Sequence, residues 1–301
     1  MARIAYLGPQ GTFTEAAMLQ LAAGDPDFEP IACDSAGAAL EAVRGKDADF
    51  ACVPIENSIE GSVLPTMDSL ASGSAVQIFA EHTLDVAFSI VVRPGVTADA
   101  VSTVAAFPVA AAQVRRWLAD RLPHATLVPA ISNAGAAQQV SEGLADAGVS
   151  TALAAQRWRL DSLADGVVDE PNARTRFVLV GRPGPPPPRT GADRTSVVLR
   201  LRHEPGALVS AMTEFSIRGI DLTRIESRPT RTELGTYIFF LEYVGHIDDA
   251  PVAEALMALH RRAAEVRYLG SWPTGVPAGA TPPVTDGAAQ WLAGLREGDR
   301  T

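Results

Sequence analysis

A wound α/β unit joined to a small βαββαβ unit is the fold class the sequence predicts, and three observations carry it. Short apolar runs alternate with helical patterns from residue 3 to about 182, a proline-rich break follows at once, and six elements in β-α-β-β-α-β order come after the break. Residues 4–7, 50–55, 88–92 and 177–180 read as the clearest strands of the first unit. Between them Val114, Trp117, Leu118 and Leu122 recur at helical spacing, as do Ala137, Val140 and Leu144, so each segment is expected to bury one face. The run from Val76 to Val92 has no turn signal where a single wound sheet would place a loop. It is expected to carry the chain from one lobe to another, with a cleft between them.

The break reads Gly181-Arg182-Pro183-Gly184-Pro185-Pro186-Pro187-Pro188. Proline lacks the N–H and fixes φ, so this stretch forms neither helix nor central strand and runs extended as a semi-rigid strap. Beyond it Val197, Leu199 and Leu201 alternate as a strand, and a helix from about Gly206 carries Leu208, Met212 and Phe215 on one face. Strands over 221–228 and 236–244 flank the polar turn Arg231-Thr232-Glu233-Leu234-Gly235. A second helix carries Val252, Leu256, Leu259 and Ala263, and residues 266–269 close as the last strand. This order in roughly 80 residues is the split-βαβ, ferredoxin-like unit, which hosts many functions and proves none by itself. The tail from Trp272 is rich in Pro, Gly and Ala and is expected to be poorly ordered, with Asp286 as a candidate cap for a short helix bearing Trp291, Leu292 and Leu295.

Composition narrows the function classes. The 301 residues are 47% apolar, enough for sizeable cores, and 25 basic against 35 acidic residues leave a net charge of −10. That balance opposes non-specific attraction to nucleic acid or to anionic membranes, so any anionic ligand must be held by local donors. Lys46 is the one lysine, which hands carboxylate recognition to arginine forks and backbone N–H groups. Cys33 and Cys52 sit in apolar runs without a CxxC or Cys/His cluster, and both are expected to be buried reduced thiols. The chain enters a strand-like run at Arg3 without a secretion signal, and no window reaches the ~18 uninterrupted apolar residues of a membrane span. A cytoplasmic location is expected.

Several segments carry chemistry. Gly8-Pro9-Gln10-Gly11-Thr12-Phe13-Thr14-Glu15 is a glycine turn with a capping-box pattern, which starts a helix and offers its N–H donors to an anion such as a carboxylate, or simply caps it. Val53-Pro54-Ile55-Glu56-Asn57-Ser58 places polar side chains directly after a buried strand, where open α/β sheets bind ligands. Glu56 and Asn57 orient a substrate on that reading; on the other, Asn57 and Ser58 make a turn and Glu56 is a solvated end. Ala105-Ala106-Phe107-Pro108 leads into a helix bearing Gln113, and Ser132 or Asn133 caps another. Asn172-Ala173-Arg174-Thr175-Arg176-Phe177 sets two arginines around a threonine, either a bidentate carboxylate clamp or a solvated loop. In the second unit Glu204-Pro205-Gly206-Ala207-Leu208-Val209 and Ile225-Glu226-Ser227-Arg228-Pro229 mark the strand-to-helix turn and the end of the second strand.

Taken in order, five of these segments resemble the prephenate dehydratase family, in its mycobacterial-like actinobacterial form. They are Gly8 to Thr14, Val53 to Ser58, Thr175-Arg176-Phe177, Gly206-Ala207-Leu208-Val209 and Glu226-Ser227-Arg228-Pro229. The resemblance implies a two-lobed, type II periplasmic-binding-protein-like catalytic domain over 1–182, a linker over 183–193, a ferredoxin-like ACT domain over 194–271 and a tail over 272–301. It implies a lyase that removes water and carbon dioxide from prephenate to give phenylpyruvate, with no cofactor. Thr175, Glu56 and Asn57 are the implied catalytic residues, and Thr12, Ser58, Gln113, Arg176 and Phe177 the implied substrate contacts. A threonine hydroxyl is too weakly acidic to be a stored acid at neutral pH, so Thr175 is read as a positioned donor, with Glu56 as the alternative acid. Where many members carry His-Pro, this chain has Phe107-Pro108, which excludes a histidine acid there. No mutase-like segment precedes residue 3, so the bifunctional form is not expected. Residues 206–209 and 226–229 are expected to bind phenylalanine at the interface of two ACT units, which requires a homodimer or homotetramer. Arogenate as substrate, and a non-catalytic amino-acid-binding protein, remain as rival readings.

Overall fold

The computed structural model describes residues 1–24, 27–230, 235–274 and 287–298. They form two compact units, Met1–Ser74 with His82–Arg182, and Ala75–Glu81 with the described residues from Pro183 onward. In chain order the first part contains β1 (Ala2–Leu7), α1 (Phe13–Leu21), β2 (Phe28–Cys33), α2 (Ala36–Arg44), β3 (Phe50–Asn57), β4 (Gly61–Ser62), α3 (Leu64–Ala71) and β5 (Gln77–Asp85). The second lobe of the same unit contains β6 (Phe88–Val92), β7 (Thr103–Ala106), α4 (Pro108–Gln113), α5 (Arg115–Arg121), β8 (Thr126–Pro129), α6 (Asn133–Ser141), β9 (Ala147–Ser150), α7 (Ala152–Trp158) and β10 (Asp161–Val167). The chain then returns to the first lobe as β11 (Arg174–Gly181).

Two sheets result, ordered β2-β1-β3-β11-β5, with β4 beside β3, and β10-β6-β9-β7-β8. The run from Val76 to Val92 does pass from one sheet to the other, as its lack of a turn predicts. It breaks only at Val86 and Ala87, between two strands of different sheets. The outward and return crossings are bonded together, since Val86 N–H donates to the Ala173 carbonyl at 2.7 Å. Each lobe has its own apolar core, one around Ile4, Tyr6, Met18, Cys52 and Phe177, the other around Phe88, Ile90, Val104, Val114 and Val149. Phe13 packs against both.

The second unit has β12 (Asp193–Arg200), α8 (Ala207–Ser216), β13 (Leu222–Pro229), β14 (Tyr237–Val244), α9 (Ala250–Arg262) and β15 (Glu265–Pro273), with α10 (Ala288–Glu297) beyond. Its antiparallel sheet runs β13-β14-β12-β15, the ferredoxin-like order. Val197, Leu199, Leu241 and Tyr243 alternate onto one face and pack against Phe215, Val252 and Leu259 of the two helices. The strap lies on this unit: His246 bonds the Pro187 carbonyl at 2.9 Å, and Arg189 pairs with Asp249 at 2.9 Å. Among the described residues no helix is long and apolar enough to cross a membrane.

Four expectations change. The helix read from Val114 to Leu122 is two helices, because Val114 takes φ −125° and ψ 14° and ends α4 as α5 begins. Leu144 is exposed, since α6 stops at Ser141 and Gly143 turns the chain at φ +75°. Cys52 is buried but Cys33 only half so. Trp272 does not begin a loose tail: it is fully buried in β15, and its indole N–H donates to Glu81 at 3.0 Å. Asp286 and the turn residues 231–234 lie outside the described residues; α10 begins after Gly287 without a side-chain cap.

Candidate active site

The loop between β1 and α1 is shaped by its capping chemistry. The Thr12 hydroxyl accepts the Glu15 N–H at 3.3 Å and donates to the Leu7 carbonyl at 3.2 Å, which starts α1 directly above the end of β1. Across the cleft, Ser132 caps α6 by accepting the Gly135 N–H at 2.9 Å. Both helix N-termini look into one cavity of about 600 Å³, lined from the first lobe by Thr12, Phe13 and Cys33 and from the second by Phe107, Ser132 and Asn133. Two positive dipole ends and two aromatic rings suit an anion with an unsaturated ring. The Cys33 thiol on its wall is pushed above the ordinary range by burial and by Asp34.

A second cluster forms where β3 and β11 run antiparallel. Thr175 stands opposite Asn57 and Arg176 opposite Glu56, but the next pair is Phe177 with Pro54, so Ile55 is an extra residue in β3. A bulge at this point accommodates Pro54, which has no N–H for a ladder, and re-aims the side chains that follow. Asn57 has its two ends fixed by different partners. Its Oδ1 accepts the N–H groups of Ile59 and Glu60 at 2.8 and 3.0 Å, which leaves Nδ2 to donate to the Thr175 hydroxyl at 3.0 Å. The Thr175 oxygen is thereby occupied as an acceptor, and among the described residues its hydrogen has no acceptor. Ser58 ties the two strand ends by accepting the Arg174 N–H at 2.9 Å and donating to the Asn172 carbonyl at 3.1 Å. Glu56 pairs with Arg176 at 3.1 Å.

In the other unit a cavity of about 490 Å³ is lined by Gly206, Ala207, Leu208 and Val209, with Tyr237 and Phe239 across from them. Gly206 caps α8 at φ +80° with no side-chain bond, so the first turn of the helix has no side-chain cap of its own. Residues 226–229 are on β13, the edge strand, and do not line that cavity. Along β13 the pattern alternates, with Ser227 and Pro229 exposed while Glu226 pairs with Arg224 at 3.1 Å and Arg228 at 3.8 Å. Proline is tolerated there because an edge strand need not donate outward.

Comparison with known proteins decides the family. The family model for prephenate dehydratase matches residues 4–185, and that for the ACT domain matches residues 195–261. The chain belongs to the prephenate dehydratase family. Prephenate dehydratase of Mycolicibacterium vanbaalenii is 70% identical over 310 residues, covering 99% of each chain. That of Mycobacterium tuberculosis is 68% identical over 305 residues, covering 99% of this chain and 95% of its own. The crystal structure of prephenate dehydratase from Arthrobacter aurescens in complex with L-Phe superposes with a TM-score of 0.89 at 41% identity, covering 98% of both chains. As a prephenate dehydratase the chain is a lyase, with a two-lobed periplasmic-binding-protein-like domain and an ACT domain.

For a dehydratase, the residues singled out in the sequence fall into four places. Asn57 is hydrogen-bonded to Thr175, Ser58 is tied to the backbone of Asn172 and Arg174 next to them, and Glu56 pairs with Arg176. Thr12 lines the cleft cavity, whose lining does not include that cluster. Gln113 is the last residue of α4, 8% exposed, and its side-chain oxygen has no partner among the described residues. Phe177 is 2% exposed and packs in the first-lobe core with Tyr6 and Cys52, where it supports β11. Phe13, Phe107, Cys33 and Asn133 also line the cleft; the sequence offers them only as part of the glycine-turn segment, a lost histidine, a buried thiol and a candidate cap. An aromatic residue at a helix start carries no chemistry in its spacing.

Proposed function

We propose that this member of the family converts prephenate to phenylpyruvate with Thr175 as the hydrogen-bond donor to the departing ring hydroxyl. The geometry that supports this reading is the Asn57 amide N–H, which donates to the Thr175 oxygen and so cannot take its hydrogen, leaving that hydrogen to be donated elsewhere. In the reaction the bond from the ring to its carboxylate breaks, that electron pair completes the aromatic ring, and the ring C–O bond breaks. The oxygen leaves as water after taking a proton that ultimately comes from solvent, and the carboxylate leaves as carbon dioxide. Charge develops on the departing oxygen, so a donor already aimed at it acts in the transition state more than in the ground state. Glu56 is paired with Arg176 and is better suited to holding that arginine for a substrate carboxylate than to giving up a proton. Thr12, Ser58 and Gln113 remain proposed substrate contacts.

The proposal assigns catalysis to residues 1–182, the strap to 183–193 and regulation to the ACT unit, which we extend from 271 to Pro273 to include the rest of β15. Phenylalanine is the proposed effector, bound between two ACT units by residues 206–209 of one chain and 226–229 of the other, so that a homodimer or homotetramer is the working form. The cytoplasm is the proposed location. The deciding experiment follows phenylpyruvate from prephenate and from arogenate side by side, with and without phenylalanine. Turnover of prephenate that falls about 100- to 1000-fold in Thr175→Ala at little change in KM is expected; an active Thr175→Ala enzyme contradicts the donor role.

A further inference from the structure

Glu15 is the third residue of α1, and its side chain is only 2% exposed. One carboxylate oxygen accepts the Gly11 N–H at 2.5 Å, and the other pairs with Nη2 of Arg157, in the last turn of α7 in the opposite lobe. Arg157 also donates to the Gln10 side-chain oxygen at 3.4 Å. The Gly11 carbonyl accepts the hydroxyl of Thr151, the cap of α7, at 2.6 Å. Both polar groups of the Gly11 backbone are therefore committed, one to a carboxylate held by the second lobe and one to that lobe directly. At φ +87°, with a Cβ that would meet the Ala154 Cβ at 2.9 Å, this position admits only glycine. The charge of Glu15 is felt by its neighbour: burial, and then that carboxylate, push the Tyr6 phenol up to about 12, with Arg157 acting in the opposite sense.

The geometry points to Arg157 as a positioning residue for substrate binding, acting from the second lobe through Glu15 on the turn that brings Thr12 and the N-terminus of α1 into the cleft. The inference rests on the reading that prephenate occupies that cleft. A buried carboxylate stripped of its cation is uncompensated, so without Arg157 the Glu15 side chain turns outward toward water. Gly11 then loses the anchor on its N–H, and among the described residues the hydrogen bond that still ties Gly11 to the second lobe is the one from Thr151. A turn that holds the substrate's side-chain carboxylate, the one that stays on the product, does so equally before and during the reaction, so loosening it removes uniform binding and raises KM rather than lowering kcat.

The test is steady-state turnover of prephenate by the full chain and by Arg157→Leu, Arg157→Lys, Glu15→Gln and the Arg157→Leu/Glu15→Gln double variant. Expected are a KM about tenfold higher in Arg157→Leu with kcat held within about threefold, and a double variant no worse than the poorer single one. Arg157→Lys, which keeps the charge, recovers most of the affinity, and it keeps the test decisive if the leucine variant melts early. A wild-type KM in Arg157→Leu, a fall in kcat alone, or a lysine variant as impaired as the leucine one overturns the role. No phenylpyruvate from the unaltered chain would instead defeat the reading of the reaction, so the two failures are distinguishable.

Discussion

Asn57 and Thr175 are 118 residues apart in sequence and meet at 3.0 Å within one chain, whereas residues 206–209 and 226–229, near neighbours in sequence, do not share a cavity. The first pair is joined by the return of β11 beside β3, which closes the proposed catalytic cluster inside a single chain. The second pair is divided between a helix start and an edge strand, so on the proposed reading the effector site is completed by another copy. A catalytic site made within the chain tolerates dissociation; a sensor made between chains does not. That contrast gives regulation a physical handle, because a ligand that bridges two units binds one arrangement of the pair better than another.

The contrast is testable from the regulatory side first. Trp272 is fully buried and bonded to Glu81, both within that unit, so Trp272→Ala is expected to cost about 3–5 kcal/mol there in a denaturant melt. A neutral result would mean that β15 ends before Trp272 in energetic terms. Val209 is 69% exposed at the cavity, and Val209→Asp and Glu226→Ala are each expected to weaken phenylalanine binding about tenfold, some 1.4 kcal/mol. Co-refolding the two variants should restore one intact site per mixed dimer and with it a phenylalanine response by calorimetry. No recovery would place both segments in one chain's site and erase the contrast. The smallest effect is on the catalytic side, where the Ser102 N–H, then the Thr103 hydroxyl, hold the Asp146 carboxyl below the usual range. A depressed folded pKa stabilises above the unfolded value and is lost as pH falls, so the gap in melting temperature between wild type and Asp146→Asn should be widest near neutrality. It should close as the pH drops below about 4.

Much of the fold is legible in the pattern of residues. The 88–92 strand matches β6 residue for residue, and the βαββαβ order follows from alternation and helical spacing alone. The failures have local causes. Spacing continues across Val114 although its backbone does not, and Leu144 keeps the helical period after Gly143 has ended the helix. Trp272 was lost to its neighbours, because a Pro/Gly/Ala-rich tail masks the one apolar residue that finishes a strand. At the candidate site, resemblance supplied Asn57 and Thr175, but no spacing shows that the Asn57 amide faces the Thr175 oxygen. The bulge at Ile55 hides behind Pro54, and the Arg157–Glu15 clasp spans two lobes with no local signal except a basic residue in a last helical turn.

The central claim is that Asn57 acts through Thr175, and a double-mutant cycle on kcat for prephenate tests it most directly. The account predicts that Thr175→Ala carries the larger loss and that adding Asn57→Ala to it costs little more, since the amide has then nothing left to orient. Losses that multiply, each as large in the double variant as alone, would contradict it.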